Sequence, residues 1–314
     1  MKGKKIVILR AGHVGSHCAY ALASAGLCEE IVLVDLCREK AQAQALDVAD
    51  STSFSARPVT VRAGEHAECA DASLVVVAID EPRKPGQTRL DLLGRSVELV
   101  RVLADQLRPL RVSCPIVTIT NPADIVADYL RKSLELERWR CFSTGTLLDT
   151  ARLTRLIAQA AGVSPASVQA FVLGEHGDSS MAAFSCARIG GLPLSRFDAD
   201  EEALLRGVHS TGMGIIEGKG STEFGIGRAL CELAACILRD EKRILPVSPL
   251  LMGEYGLSGI HCGVPCRIGR DGIESIIELP LTQREHEQLA ASCEIIRRHI
   301  AMADAMESEP IQST

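Results

Sequence analysis

Through the first half of the chain, short apolar runs alternate with segments long enough for helices. Residues 6–9 (IVIL), 31–34 (IVLV), 59–61 (VTV), 74–77 (LVVV) and 115–119 (PIVTI) carry almost no polar side chain. Strands that do not alternate in polarity are buried on both faces, which is the mark of a parallel sheet whose crossover helices cover both sides. Residues 14–27 are Ala-rich and helix-permissive, with Gly26 ending the run. A further strand over 140–143 precedes Gly145-Thr146, and this break sets a predicted boundary between domains 1–144 and 145–314.

The second half has a different texture. Residues 149–161 read as a helix stopped by Gly162, followed by a strand over 168–173. A helix over 203–217 is interrupted by Gly218-Lys219-Gly220, and helical character resumes over 221–238. Glycines at 256, 259, 263, 269 and 272 punctuate a set of strands over 255–278. Thr282-Gln283-Arg284-Glu285 is a capping box opening a long last helix, and the polar residues 307–314 are expected to fray. The predicted class is α/β, a doubly wound parallel sheet followed by an α+β domain.

Composition narrows the partners. The chain has 314 residues, 46% of them hydrophobic but only 3% aromatic, so its core must be aliphatic. A formal charge of −6 gives no basic footprint for nucleic acid. Any small anionic ligand must therefore be held by locally placed arginines. Arg10 cuts short the only N-terminal apolar run, and no stretch is long enough to span a membrane, so a cytoplasmic protein is expected. The twelve cysteines are scattered without a C-x-x-C pair, as expected of reduced core thiols. His261, Cys262 and Cys266 cluster without a fourth ligand at a usual spacing, so no metal site is predicted.

Two regions carry chemistry. After the first strand comes Gly12-His13-Val14-Gly15, then a helix, with Asp35 ending the next strand twenty positions after Gly15. Glycines at such a turn let backbone N–H groups approach a pyrophosphate, and an acid at that distance accepts from ribose hydroxyls while repelling a 2′-phosphate. The pattern is most of a Rossmann-type dinucleotide fingerprint and favours NAD over NADP. Further on, Gly174-Glu175-His176-Gly177-Asp178 supplies an imidazole, and Leu148-Asp149-Thr150-Ala151-Arg152 supplies a carboxylate and an arginine. Such a set can move a proton at an oxygen of a small carboxylic acid.

Several strings in order make the resemblance specific. The glycine turn, Lys84-Pro85-Gly86-Gln87-Thr88-Arg89-Leu90, Asn121-Pro122-Ala123-Asp124, the segment 145–152, the segment 174–178 and Leu251-Met252-Gly253-Glu254-Tyr255-Gly256 together resemble the L-lactate/malate dehydrogenase family over essentially the whole chain. Lys219-Gly220-Ser221-Thr222 looks more like the bacterial lactate branch. The resemblance implies reversible hydride transfer between NAD(H) and a small L-2-hydroxy or 2-keto acid. It implies His176 as acid/base, Asp149 as its orienting partner, Arg152 as a clamp on the substrate carboxylate and Arg89 as a carbonyl-polarising group. Asn121 and Thr222 would line the substrate site. Gly12, His13, Val14, Gly15, Asp35 and Asn121 would hold the cofactor. A homodimer or homotetramer is also implied.

Four departures qualify that picture. Arg10 stands where the family has glycine, and Ala78-Ile79-Asp80-Glu81 stands where it usually has Thr-Ala-Gly-Ala. The two strand ends should be neighbours, so a compensating Arg10–Asp80 ion pair is expected, and with it the alternative of a family member with weakened cofactor binding. Arg83 occupies the position expected to meet the substrate's variable end, as in the malate branch, which raises the alternative of an oxaloacetate preference. The basic positions that bind fructose 1,6-bisphosphate in many bacterial relatives correspond here to Thr154 and Gln169, so no such activation is expected.

Overall fold

The computed structural model describes residues 3–79 and 89–308. The first half runs β1 (Lys5–Leu9), α1 (His13–Ser24), β2 (Glu30–Val34), α2 (Arg38–Thr52), β3 (Thr60–Ala63), β4 (Leu74–Val77), α3 (Arg89–Leu107), β5 (Ile116–Thr118), α4 (Ala123–Ser133) and β6 (Cys141–Ser143). The six strands form one parallel sheet in the order β3-β2-β1-β4-β5-β6. Ile6 pairs with Ile31 on one side and Leu74 on the other. The strand order reverses between β1 and β4, which opens a crevice at their carboxyl ends.

Continuous apolar runs form these strands because each strand feeds two cores. Ile6 and Ile8 point into one cluster with Leu22, Leu33 and Leu74, while Val7 and Leu9 point into another with Val100, Leu107 and Leu130. A polar side chain at any of these positions would lose its water with no partner to replace it.

The second half comprises α5 (Leu147–Ala161), β7 (Val168–Gln169), β8 (Val172–Leu173), β9 (Met181–Ala182), β10 (Arg188–Ile189), β11 (Leu192–Pro193), α6 (Glu201–Lys219) and α7 (Phe224–Arg239). It continues with β12 (Arg243–Val247), β13 (Leu250–Met252), β14 (Ser258–His261), β15 (Val264–Gly269), β16 (Gly272–Ile276) and α8 (Gln283–Ser308). All of its strand pairs are antiparallel. Helix α7 lies against α1, with Gly227 facing Ala21 and the His17 carbonyl. Through α7 the upper core of the parallel sheet continues without a break to Val247, Ile260, Val264 and Ile268.

Most predicted elements are present, including the left-handed stop at Gly162 (φ 65°). The capping box also forms: Glu285 N–H donates to Thr282 Oγ1 at 3.3 Å, and Thr282 N–H donates to Glu285 Oε2 at 2.8 Å. Three expectations need correction. The single strand over 168–173 is two, because Gln169 pairs with Arg188 while Val172 pairs with Ala182 in a separate sheet. The helix after Gly220 starts at Phe224 rather than residue 221, with Ser221, Thr222 and Glu223 forming a linker. The late strands begin earlier than expected: β12 and β13 precede Tyr255, with Pro246 accommodated opposite Pro265. Residues 309–314 lie outside the described residues, but the helix continues through Ser308, into the segment expected to fray. Among the described residues no helix is long and apolar enough to cross a membrane, and no group of side chains could hold a metal ion.

Candidate active site

At the crevice, β1 ends at Leu9 and the chain turns into α1 through Arg10, Ala11 and Gly12. Arg10 takes φ 89°, a left-handed conformation that glycine adopts freely and a residue bearing a Cβ resists. Gly15 is required by packing: a Cβ there would lie 2.0 Å from the Arg10 carbonyl oxygen. At Gly12 a Cβ would meet nothing within 4 Å, so the helix N-terminus faces open space, and no side chain caps it. Helix-start N–H groups facing open space form an anion cradle. Asp35 braces the turn by accepting from Ala11 N–H at 2.9 Å and from Cys37 N–H at 3.1 Å. His13 is exposed and Val14 half-buried beside it. A groove lined by Arg10, Asp35, Leu36, His66 and Val102 runs on from the turn, and its apolar walls and acidic end suit an adenosine.

The second cluster is built from α5 and the loop after β8. Asp149 and Arg152 sit three residues apart on one helix face, and Arg152 Nη1 donates to Asp149 Oδ1 at 2.9 Å. The other carboxylate oxygen lies 2.6 Å from His176 Nδ1. Asp149 thus bridges the imidazole and the guanidinium, with side chains 8%, 24% and 13% exposed in the order Asp149, His176, Arg152. Gly212 on α6 faces the Arg152 guanidinium. Burial opposes charge on His176, but the Asp149 carboxylate outweighs it and lifts the imidazole from its ordinary 6.5 to about 9. Burial would likewise raise Asp149, yet His176 and Arg152 hold it below the usual carboxylate range. The imidazole therefore carries a proton at neutral pH and presents Nε2 as the atom that can exchange it.

The sequence-predicted residues divide into three groups. His176, Asp149 and Arg152 are in direct contact. Gly12, His13, Val14, Gly15 and Asp35 share the turn at the crevice. Asn121 is exposed at the end of the β5 strand, joined to Pro122 by a cis peptide, and its carbonyl accepts from Ser96 Oγ at 3.1 Å. Thr222 is half-buried in the linker between α6 and α7, and neither Asn121 nor Thr222 has a side-chain hydrogen bond to the His176 cluster among the described residues. Arg89 begins α3, but its side chain, like Asp80 and Arg83, lies outside the described residues. The expected Arg10–Asp80 pair lies there too; among the described residues no carboxylate pairs with Arg10.

Sequence reasoning missed Asp124. It was visible only as the last residue of Asn121-Pro122-Ala123-Asp124, yet its Oδ2 accepts the backbone N–H of His176 at 2.9 Å. It also missed His209 on α6, whose Nε2 lies 2.9 Å from Ser180 Oγ and whose charge bears on Asp149. Neither residue has a local pattern that marks it.

A doubly wound nucleotide-binding sheet joined to a His–Asp–Arg cluster defines a dinucleotide-dependent enzyme acting on a small carboxylic acid. The chain belongs to the lactate/malate dehydrogenase family: residues 4–143 match its NAD-binding domain and residues 146–307 its α/β C-terminal domain. L-lactate dehydrogenase 1 of Bifidobacterium longum is 38% identical over 308 residues, covering 95% of this chain and 98% of the relative. The L-lactate dehydrogenase of Limosilactobacillus reuteri is 38% identical over 302 residues, covering 94% and 93%. Among solved structures, a lactate dehydrogenase from a deep-sea metagenome superposes with a TM-score of 0.93 at 33% identity, covering 97% of this chain and 100% of that one. The ligand-bound minor L-lactate dehydrogenase of Enterococcus mundtii gives 0.93 at 34% identity, covering 98% and 100%. The cofactor is NAD, and the uncapped α1 N-terminus with Gly12, Gly15 and Asp35 fits it.

Proposed function

We propose that this protein is an L-lactate dehydrogenase that interconverts pyruvate and lactate, with His176 as its acid/base. The carrying observation is the shared Asp149 carboxylate, which holds His176 by one oxygen and Arg152 by the other. When bound, NAD(H) supplies or accepts the hydride. Arg152 binds the substrate carboxylate through the guanidinium N–H groups that Asp149 does not use, fixing the keto carbon relative to His176. His176 Nε2–H donates to the keto oxygen as it gains negative charge, and Asp149 stabilises the imidazolium before the proton leaves. In the oxidative direction the neutral imidazole takes the hydroxyl proton. Asn121, Thr222 and Arg89 are assigned to substrate positioning, and Gly12, His13, Val14, Gly15, Asp35 and Asn121 to the cofactor.

The relatives named above are lactate dehydrogenases, which favours this reading over an oxaloacetate preference and over a cofactor-impaired binder. The working division is a cofactor domain over 1–144 and a substrate domain over 145–314. We assign the protein to the cytoplasm, where its twelve free cysteines stay reduced. A homodimer or homotetramer is supported by large apolar side chains left exposed on helices, among them Tyr20, Leu46, Ile216 and Phe224. Light scattering on the purified protein tests the assembly.

The function is tested by following NADH at saturating pyruvate in the wild type and in His176→Asn. Turnover should fall by about 10²–10⁴-fold in the variant while NADH fluorescence titration stays nearly unchanged. Near-normal turnover in the variant removes His176 from the chemistry.

A further inference from the structure

His176 is gripped from two directions. Asp149 on α5 holds its ring, and Asp124, in the first turn of α4 on the other half of the molecule, holds its backbone N–H at 2.9 Å. Asp124 is 3% exposed. Its Oδ1 takes no hydrogen bond within normal limits, although the Ser248 hydroxyl lies beside it.

A carboxylate so buried needs a counter-charge. The cations two turns along α4 are engaged by a different acid: Lys132 lies 2.6 Å and Arg131 3.7 Å from Asp128. His261, which also faces Asp128, is pushed down to about 4 by burial and is neutral. Cys262 is a buried thiol whose deprotonation is strongly disfavoured, and Glu175 adds a second negative charge rather than relieving the first. Among the described residues, the positive group that acts on Asp124 is the His176 imidazolium.

We propose that Asp124 is a positioning residue for His176, fixing the 174–178 loop through the His176 amide and sharing with Asp149 the stabilisation of the protonated ring. Burial lifts the Asp124 carboxyl to about 6, so it is mostly ionised in the range where His176 stays protonated. The groups that set this balance are Asp149 and Arg152 on α5 and Asp124 itself at the imidazole, His209 on α6 acting through Asp149, and Glu175 on the loop acting through Asp124. The contact also fastens the catalytic loop of the second half to a helix of the cofactor-binding half, across 52 residues of sequence.

The inference rests on His176 being the acid/base, and the test separates the two. In Asp124→Asn the side-chain oxygen still accepts the His176 amide but the charge is gone. NMR titration of the His176 ring in the full-length protein should then move down by about half a pH unit or more. The upper limb of the kcat/KM profile for pyruvate reduction should move with it, while most of kcat at neutral pH remains. In Asp124→Ala the amide loses its acceptor, and kcat should fall by about 100-fold with a smaller change in KM, as expected when a reacting group is displaced by an ångström or so. If Asp124→Ala does not fold, the Asn variant decides alone. An unshifted His176 titration in Asp124→Asn overturns the inference, as does a folded Asp124→Ala with kcat within twofold of wild type. Normal turnover in His176→Asn would instead overturn the acid/base assignment, and the ring titration would still report on Asp124.

Discussion

The turn after β1 and the loop after β8 are each assigned a charged part of a ligand under the proposed function, yet they bear sequence change differently. At the turn, Arg10 stands at the position that the family resemblance gives to glycine, and its backbone takes the left-handed φ of 89°, with Ala11 tied to Asp35 and α1 starting at His13. At the loop, each of the three side chains touches the next at hydrogen-bond distance. The first site offers backbone N–H groups, so its identity lies in conformation, and a side chain that accepts the strain can be tolerated. The second offers an imidazole and a guanidinium, which no other residue types supply in that geometry.

Replacing Arg152 should break the comparison most severely on the side-chain-built side. Arg152→Leu leaves Asp149 half-unpaired and removes the carboxylate clamp; a loss of about 2–5 kcal/mol is the usual scale for truncating one partner of a buried charged pair. Pyruvate kcat/KM should fall by at least about 30-fold, with NADH affinity retained in a fluorescence titration. An equal loss of NADH binding would mean that the two sites are not separable.

The pH profile should come next. Because His176 is raised to about 9, pyruvate reduction should hold its kcat/KM through neutral pH and drop tenfold per unit above about 9. Lactate oxidation, which needs the neutral ring, should rise up to the same point. The linked stability has a definite sign: a raised imidazole stabilises the fold fully below its ordinary 6.5, and that contribution is lost as pH rises through about 9. Thermal melts between pH 6 and 10 check it, and a melting temperature that climbs with pH across that range would contradict the Asp149–His176 geometry.

Two substitutions at the turn should act in opposite directions. Gly15→Ala drives a Cβ into the Arg10 carbonyl at 2.0 Å, and overpacking of that kind costs about 1–3 kcal/mol. Since the N-terminus of α1 would have to shift, NADH binding should weaken along with stability. Arg10→Gly relieves a left-handed non-glycine and should stabilise by about 1 kcal/mol in denaturant unfolding. NADH affinity should change by less than the roughly tenfold that 1.4 kcal/mol represents, because the cradle's donors are backbone groups. A larger change in affinity would mean that the Arg10 side chain itself meets the cofactor. The smallest expected effect is none: with Thr154 and the exposed Gln169 at the positions that the family resemblance assigns to phosphate-binding basic residues, adding fructose 1,6-bisphosphate should leave pyruvate kinetics unchanged.

Much of the fold could be read from the chain because its signals are local. β4 is apolar at every position and β1 at every position after Lys5, since both faces are covered, and such a run has few other uses in an α/β protein. Capping at Thr282 and the glycine stop at Gly162 lie within a few residues of what they terminate. The short strands of the second half were harder to place. Whether Gln169 and Val172 share a strand depends on partners, Arg188 for one and Ala182 for the other, and two-residue strands carry no periodicity. Charged Arg243 and Pro246 hid β12, which exists because β15 supplies its hydrogen bonds.

The functional residues divide the same way. The types and spacing of Gly12, Gly15, Asp35, Asp149, Arg152 and His176 were visible in sequence, because glycine freedom, i and i+3 helix geometry and imidazole chemistry belong to the residues themselves. Their meeting was not. Asp149 and His176 are 27 positions apart, and Asp124 and His176 are 52 apart, on elements that touch only once the antiparallel half has packed against the parallel one. Neither the left-handed backbone at Arg10 nor the second carboxylate behind the histidine has a one-dimensional signature. Sequence by itself determined which chemistry was available. The tertiary structure decided which acid holds which base, because burial and distance, not residue identity, set the energy of a charge.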